Sequence, residues 1–135
     1  MIEYLLDTNI CIHLIKKKSA LLLARLQKAE LAAVGLSSIV LSELEYGVEK
    51  SQRVAQNRMA LAQFVAPLEI VEYDSEAAQC YGRLRSALER KGQPIGPLDQ
   101  LIAAHALALD CTLVTNNVRE FVRVEGLRVE DWTVG

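Results

Sequence analysis

The sequence is poor in cysteine and histidine, has no long apolar run and carries no excess of basic charge. Its three cysteines, Cys11, Cys80 and Cys111, are odd in number, far apart and set among apolar or helical residues. That excludes a disulfide framework and reads as reduced, buried thiols, so the expected compartment is the cytoplasm. Two histidines, His13 and His105, are too few for a three-histidine zinc site, and any scheme needing paired histidines depends on these two alone. No apolar stretch approaches the ~18 residues of a membrane span, and no membrane partner is expected. The opening Met1-Ile2-Glu3-Tyr4-Leu5-Leu6-Asp7 lacks a basic start and places an acid where a signal peptide stays apolar. Fifteen Lys and Arg stand against seventeen Asp and Glu, a formal charge of -2. A protein that coats nucleic acid is thereby excluded. An enzyme that meets phosphates through a local patch and a bound cation is not.

What is present fits one globular domain over residues 1–135, with 51% hydrophobic and 24% charged residues. Residues 2–6 form a short apolar run of the kind found in central parallel strands. Ile10, Leu14 and Ile15 then repeat at helical spacing until Lys16, Lys17 and Lys18 interrupt them. Ser19 opens a second helix to about residue 29. Residues 34–36 read as a strand, and Ser37 or Ser38 caps a helix to about residue 50. A helix over 53–66 is expected to turn Val54, Met59, Ala62 and Val65 inward. Pro67 stops it before a strand at 68–71. A longer helix runs from Asp74 or Ser75 to about residue 90, with Ala78, Tyr81, Leu84 and Leu88 on one face. A very apolar helix follows over about 98–109, then a strand at 112–115, a helical turn at 118–121 and an edge strand at 127–129. This alternation predicts an α/β fold with a central, mostly parallel sheet flanked by helices on both faces, in three layers. In such sheets ligands bind beyond the carboxyl ends of the strands.

The acids fall at those ends. Asp7 follows the first strand directly and is either a helix cap or a site carboxylate. Glu43 lies in the helix after the second strand, with apolar Leu41 and Leu44 beside it and Gly47 one turn on. Asp99 stands in Pro94-Ile95-Gly96-Pro97-Leu98-Asp99, where two prolines and a glycine fix the entry to an apolar helix. There it either serves the helix dipole or belongs to a site. Asn116 and Asn117 follow the fourth strand, with Glu120 shortly after, and Thr8 and Thr115 bring hydroxyls to equivalent strand ends. Clustered carboxylates repel unless a cation lies among them, and oxygen-only ligands select Mg²⁺ or Mn²⁺ over Zn²⁺. The usual chemistry of such a cluster is attack of water on a phosphoester.

Several stretches in order carry a family pattern. They are Leu6-Asp7-Thr8-Asn9, then Ser37-Ser38 through Ser42-Glu43-Leu44 to Tyr46-Gly47, then Ile95-Gly96-Pro97-Leu98-Asp99 with Ile102-Ala103-Ala104-His105. Val114-Thr115-Asn116-Asn117-Val118-Arg119-Glu120-Phe121 and Glu130-Asp131-Trp132 close the pattern. The chain resembles, over nearly its whole length, the VapC-type PIN-domain ribonuclease toxins of bacterial VapBC toxin-antitoxin modules. The resemblance implies a PIN-like domain and a metal-dependent endoribonuclease that uses Mg²⁺ or Mn²⁺. Asp7, Glu43 and Asp99 match the family's acidic site, with Thr8, Asn9, Thr115 and Asn116 as supporting residues. Many PIN domains have an aspartate where this chain has Asn117, and Glu120 is expected to fill that fourth place.

The resemblance further implies structured RNA as substrate, tRNA above all and the anticodon loop of initiator tRNA within it. It implies a homodimer and a VapB-type antitoxin whose tail arginine meets the carboxylates, with promoter DNA bound only through that antitoxin. Leu22, Leu26, Leu61 and Phe64 are candidates for a dimer face or for the domain's own outer layers. Lys16, Lys17, Lys18, Arg83, Arg85, Arg90 and Lys91 are candidates for a basic rim that positions phosphates. Aromatics make up only 5% of the chain, which leaves Tyr46 as the one candidate stacking platform. Tyr81, Phe121 and Trp132 read as packing residues. Two other classes stay open on the residues alone: another metal-carboxylate nuclease or phosphohydrolase acting on DNA or a small phosphoester, and a catalytically degenerate PIN-like binding module.

Overall fold

A computed structural model, which describes residues 1–135, pairs all the strand-like stretches into one five-stranded sheet. The strands are β1 (Tyr4–Leu6), β2 (Val34–Ser37), β3 (Glu69–Val71), β4 (Thr112–Val114) and β5 (Arg128–Glu130). Their order is β3-β2-β1-β4-β5, and every pairing is parallel. The central strands are short and wholly apolar on their core faces: Leu5, Leu6, Leu36, Leu113 and Val114 are fully buried. Burial on both faces is what a parallel sheet requires, because helical crossovers cover it on each side.

Those crossovers are α1 (Thr8–Ile15), α2 (Ala20–Lys28), α3 (Ser38–Glu49), α4 (Val54–Val65), α5 (Ser75–Arg90), α6 (Pro97–Leu109) and the short α7 (Val118–Phe121). Side chains of Asp7, Ser19, Ser37 and Asp74 cap α1, α2, α3 and α5, each accepting a backbone N–H of the first turn. None of the helices is long and apolar enough to cross a membrane. All three cysteines are free; Cys11 and Cys111 are buried and Cys80 is half-buried.

Two expectations need correction. In α4 the buried residue is Leu61, with Phe64 and Val65 half-buried, whereas Val54, Met59 and Ala62 are exposed. The helix packs on one side only, against α1 and α3, and a single narrow stripe suffices there. In α5 it is Ala77 that turns inward and Ala78 that faces solvent. Of the two readings of Leu22, Leu26, Leu61 and Phe64, the domain's own layers hold: Leu22 and Leu61 are buried in the core cluster, and Leu26 and Phe64 pack against it.

Candidate active site

Asp7 sits immediately beyond β1 and is only 5% exposed. Its Oδ1 accepts the Thr8 backbone N–H at 2.8 Å, and its Oδ2 accepts the Thr115 hydroxyl at 2.7 Å. Capping and a site role are therefore not alternatives, since one oxygen serves the helix and each keeps a further lone pair. Burial raises the Asp7 carboxyl above its ordinary pKa, the two donors oppose that rise, and the Glu120 charge adds to it.

Thr8 joins Asp7 to Glu43. Its N–H holds Asp7 while its hydroxyl donates to Glu43 Oε1 at 2.9 Å, tying α1 to α3 at the mouth of the sheet. On the other side of β1, Thr115 follows β4. Its oxygen accepts the Asn117 backbone N–H at 3.0 Å while its proton goes to Asp7.

Asp99 lies in the first turn of α6, whose start has Pro97 and whose N-cap is Gly96 with no side-chain cap. The helix dipole favours a charge there, yet the local field prevails. Burial first, then the charges of Glu120, Asp7 and Glu43, push the Asp99 carboxyl up to about 7. Glu120 is shifted the opposite way. Burial works against its charge, but donors outweigh it: Oε1 accepts the Gly96 N–H at 2.7 Å and Oε2 accepts the Asn117 amide at 2.6 Å. The two shifts are linked: the donors on Glu120 favour its charge, and that charge in turn disfavours one on Asp99.

One chain of hydrogen bonds therefore runs from Glu43 through Thr8, Asp7, Thr115, Asn117 and Glu120 to the backbone of Gly96. Asp7, Glu43, Asp99, Glu120 and Asn117 are brought together, with Thr8 and Thr115 as their struts. Asn9 and Asn116 are exposed and join no hydrogen bond of this chain. Sequence reasoning missed the Gly96 N–H as a donor; its signal was a glycine between two prolines just before Asp99. A Cβ at Gly96 would lie 3.3 Å from Asp99 Oδ2 and 3.7 Å from Glu120 Oε1, so a side chain there would crowd both acids.

The histidines stand apart from this chain. His105 is 1% exposed, its Nδ1 is 2.8 Å from the Ser37 hydroxyl, and Tyr73 packs edge-on against its ring. Burial lowers its pKa, which keeps it neutral and structural. Of the basic candidates, Lys16 lines a groove with Glu43, whereas Arg85 pairs with Glu89 and Tyr81, and Arg90 donates to Ser86.

A family model for the PIN domain matches residues 4–127. The tRNA(fMet)-specific endonuclease VapC of Shigella flexneri is 45% identical over 133 residues, 98% of this chain and 100% of that protein. The chain belongs to the VapC-type PIN-domain ribonucleases. Its fold superimposes on the DNA-bound VapBC crystal structure from Salmonella typhimurium with a TM-score of 0.93 and 44% identity, over 98% of this chain and 99% of that one. The promoter-bound VapBC2 of Rickettsia felis matches with a TM-score of 0.90 at 44% identity and the same coverage.

Every donor in the cluster is oxygen, the selection rule for hard divalent ions. No Lys, Arg or His forms an ion pair with Asp7, Glu43, Asp99 or Glu120, and the one cation that acts on them, Arg123, only helps to lower Glu120 from a distance. The side chains do not stand as a ready-made cage of three or more ligands. Donor chemistry and charge fit a divalent ion.

Proposed function

We propose that this VapC-type chain is a Mg²⁺- or Mn²⁺-dependent endoribonuclease whose substrate is tRNA, cut in the anticodon loop, and whose activity a VapB-type antitoxin neutralises. The carrying observation is the hydrogen-bonded series of acids Glu43, Asp7 and Glu120, none of which is held in an ion pair. Asp7, Glu43 and Asp99 would hold the cation, which when bound polarises the scissile phosphate and lowers the pKa of water. Glu120, favoured in its charged form by the Gly96 and Asn117 donors, accepts a hydrogen bond from the attacking water and orients it. Asn117 replaces the usual fourth acid without emptying the position, because its amide holds Glu120 there. Thr8 and Thr115 fix the carboxylates of Asp7 and Glu43 before substrate arrives, which lowers the reorganisation the reaction requires.

The name of the Shigella relative supports initiator tRNA as the target. The Salmonella and Rickettsia structures, complexes of toxin, antitoxin and DNA, support the antitoxin as partner and as the part that meets promoter DNA. A groove of about 300 Å³ between α1, α3 and α4 has Ile12, Ile15, Leu44, Val48 and Leu61 as apolar lining and Glu43 at one margin. It suits an apolar tail that ends in an arginine paired with the acids. The same reading includes a homodimer whose face lies outside the buried Leu22 and Leu61.

Incubation with total tRNA, followed by mapping of the cut ends, tests the reading. A single cut in the anticodon loop of initiator tRNA, abolished by EDTA and restored by Mg²⁺, is the expected result. Cleavage of duplex DNA or of simple phosphomonoesters in preference to RNA would transfer the site to the other phosphohydrolase class.

A further inference from the structure

A second concavity, of about 330 Å³, lies along the outer side of the α5–α6 pair and is not part of the acidic site. Its floor is Leu84, Ala87, Leu88, Leu107 and Val124. Its rim carries Arg83, Lys91 and Arg123 against one acid, Glu125. In a chain of net charge -2 this is a local excess of positive charge. One rim residue of the groove is tied to the loop that leads to the acids. Arg123 donates to the Pro94 carbonyl at 3.0 Å, and Pro94 begins the short loop whose Gly96 N–H holds Glu120. From Lys91 the groove follows α5 back to Cys80, a helical distance of about 16 Å.

We propose that this groove is the path of the RNA strand flanking the cut, with Arg83, Lys91 and Arg123 as phosphate contacts and the apolar floor beneath the sugars and bases. The assignment rests on the ribonuclease reading and supplies what that reading lacks, a basic surface on an acidic protein. Charge complementarity and the Arg123 link to the loop that holds Glu120 decide the occupant. The neighbouring Arg85 and Arg90 lie outside the groove, engaged with Glu89, Tyr81 and Ser86 along α5. Lys91 is held only by an ion pair of 3.7 Å to the almost fully exposed Glu125, which a phosphate can displace. Arg83 is exposed, with only the Cys80 sulfur as side-chain partner. Phosphate contacts of this kind fix register and carry no sequence information, so the groove would serve any strand that reaches the acids.

The test compares two double variants of equal charge. Arg83→Gln with Lys91→Gln removes two groove cations; Arg85→Gln with Arg90→Gln removes two cations from the same helix outside it. Affinity of the full chain for fluorescently labelled tRNA is read by anisotropy in EDTA across a salt series. The groove pair should bind about tenfold more weakly, and its plot of log affinity against log salt should be shallower by about 1.4, since each single-strand phosphate contact contributes about 0.7. The control pair should match wild type. Equal losses in both pairs, or none in either, would overturn the assignment, the first result indicating only a general field. A change in sedimentation confined to the groove pair would also overturn it, since the groove would then be a contact between two copies. If wild type binds and cuts no RNA, the ribonuclease reading falls and the groove assignment falls with it.

Discussion

Asp99→Asn should lower cleavage by about a thousandfold or more and yet leave the cation-free protein more stable at pH 8. The loss follows from the site's charge: one cation ligand disappears, and about 4 kcal/mol of transition-state stabilisation corresponds to that factor. The gain follows from the same fact. Burial and three neighbouring acids make the Asp99 charge unfavourable in the folded state, and the amide keeps the shape without the charge. Asp7→Asn should be equally inactive but gain less stability than Asp99→Asn, because it exchanges the charged acceptor of the Thr115 hydroxyl and the Thr8 N–H for a neutral one and so offsets part of the relief from burial. Circular dichroism should be native for both. An Asp99→Asn variant that cuts RNA within tenfold of wild type would remove Asp99 from the site.

Divalent cation should stabilise the protein far more at pH 8 than at pH 5. The folded Asp99 carboxyl titrates at about 7, above its ordinary 3.8, so across that window the folded chain holds a proton the unfolded chain has released. Stability contributed by this group therefore falls as pH rises from about 4 to about 7, the slope following the difference in bound protons. Glu120, shifted down, works in the opposite sense, but its proton and that of Asp99 belong to one coupled pair. A cation takes the proton's place above pH 7 and competes with it below. At a hundred times its dissociation constant, Mg²⁺ adds about 2.7 kcal/mol, on the order of 10 °C in Tm for a chain of this size. Thermal melts with and without Mg²⁺ at the two pH values read this directly. Equal shifts at pH 5 and pH 8 would show that the cation binds away from Asp99, and in Asp99→Asn the difference between the two pH values should largely vanish.

Asp7, Glu43 and Glu120 were legible because each follows an apolar strand, at the cap or in the next helix, and a parallel sheet gathers its carboxyl ends. Asp99, which opens α6 directly after α5, was marked instead by the prolines and glycine before it. Asp7 directly after Leu6 still read as either a cap or a site carboxylate, and the family pattern marked Asp7, Glu43 and Asp99 together. The partners of these acids were not legible. The Gly96 N–H is a backbone donor that residue type does not encode, and Thr8 and Thr115 carry hydroxyls whose targets depend on packing between α1, α3 and β4. The inward face of α4 was misread because alanines and a methionine fit either side of a helix that packs on one flank only. Arg85 and Arg90 look identical to Arg83 in sequence. Only their register on α5 turns them toward Glu89, Tyr81 and Ser86 instead of the groove.

The chemistry of the cut ends tests the central claim most directly. Hydrolysis by water, oriented at Glu120 and assisted by a cation held by Asp7, Glu43 and Asp99, does not use the RNA 2′-hydroxyl as nucleophile. Purified product from tRNA treated with the chain and Mg²⁺ should carry a 5′-phosphate and a 3′-hydroxyl, readable by ligation and by mass. A 2′,3′-cyclic phosphate on the upstream fragment, formed undiminished in EDTA, would contradict the account, because it requires attack by the ribose and leaves the acidic cluster without a task.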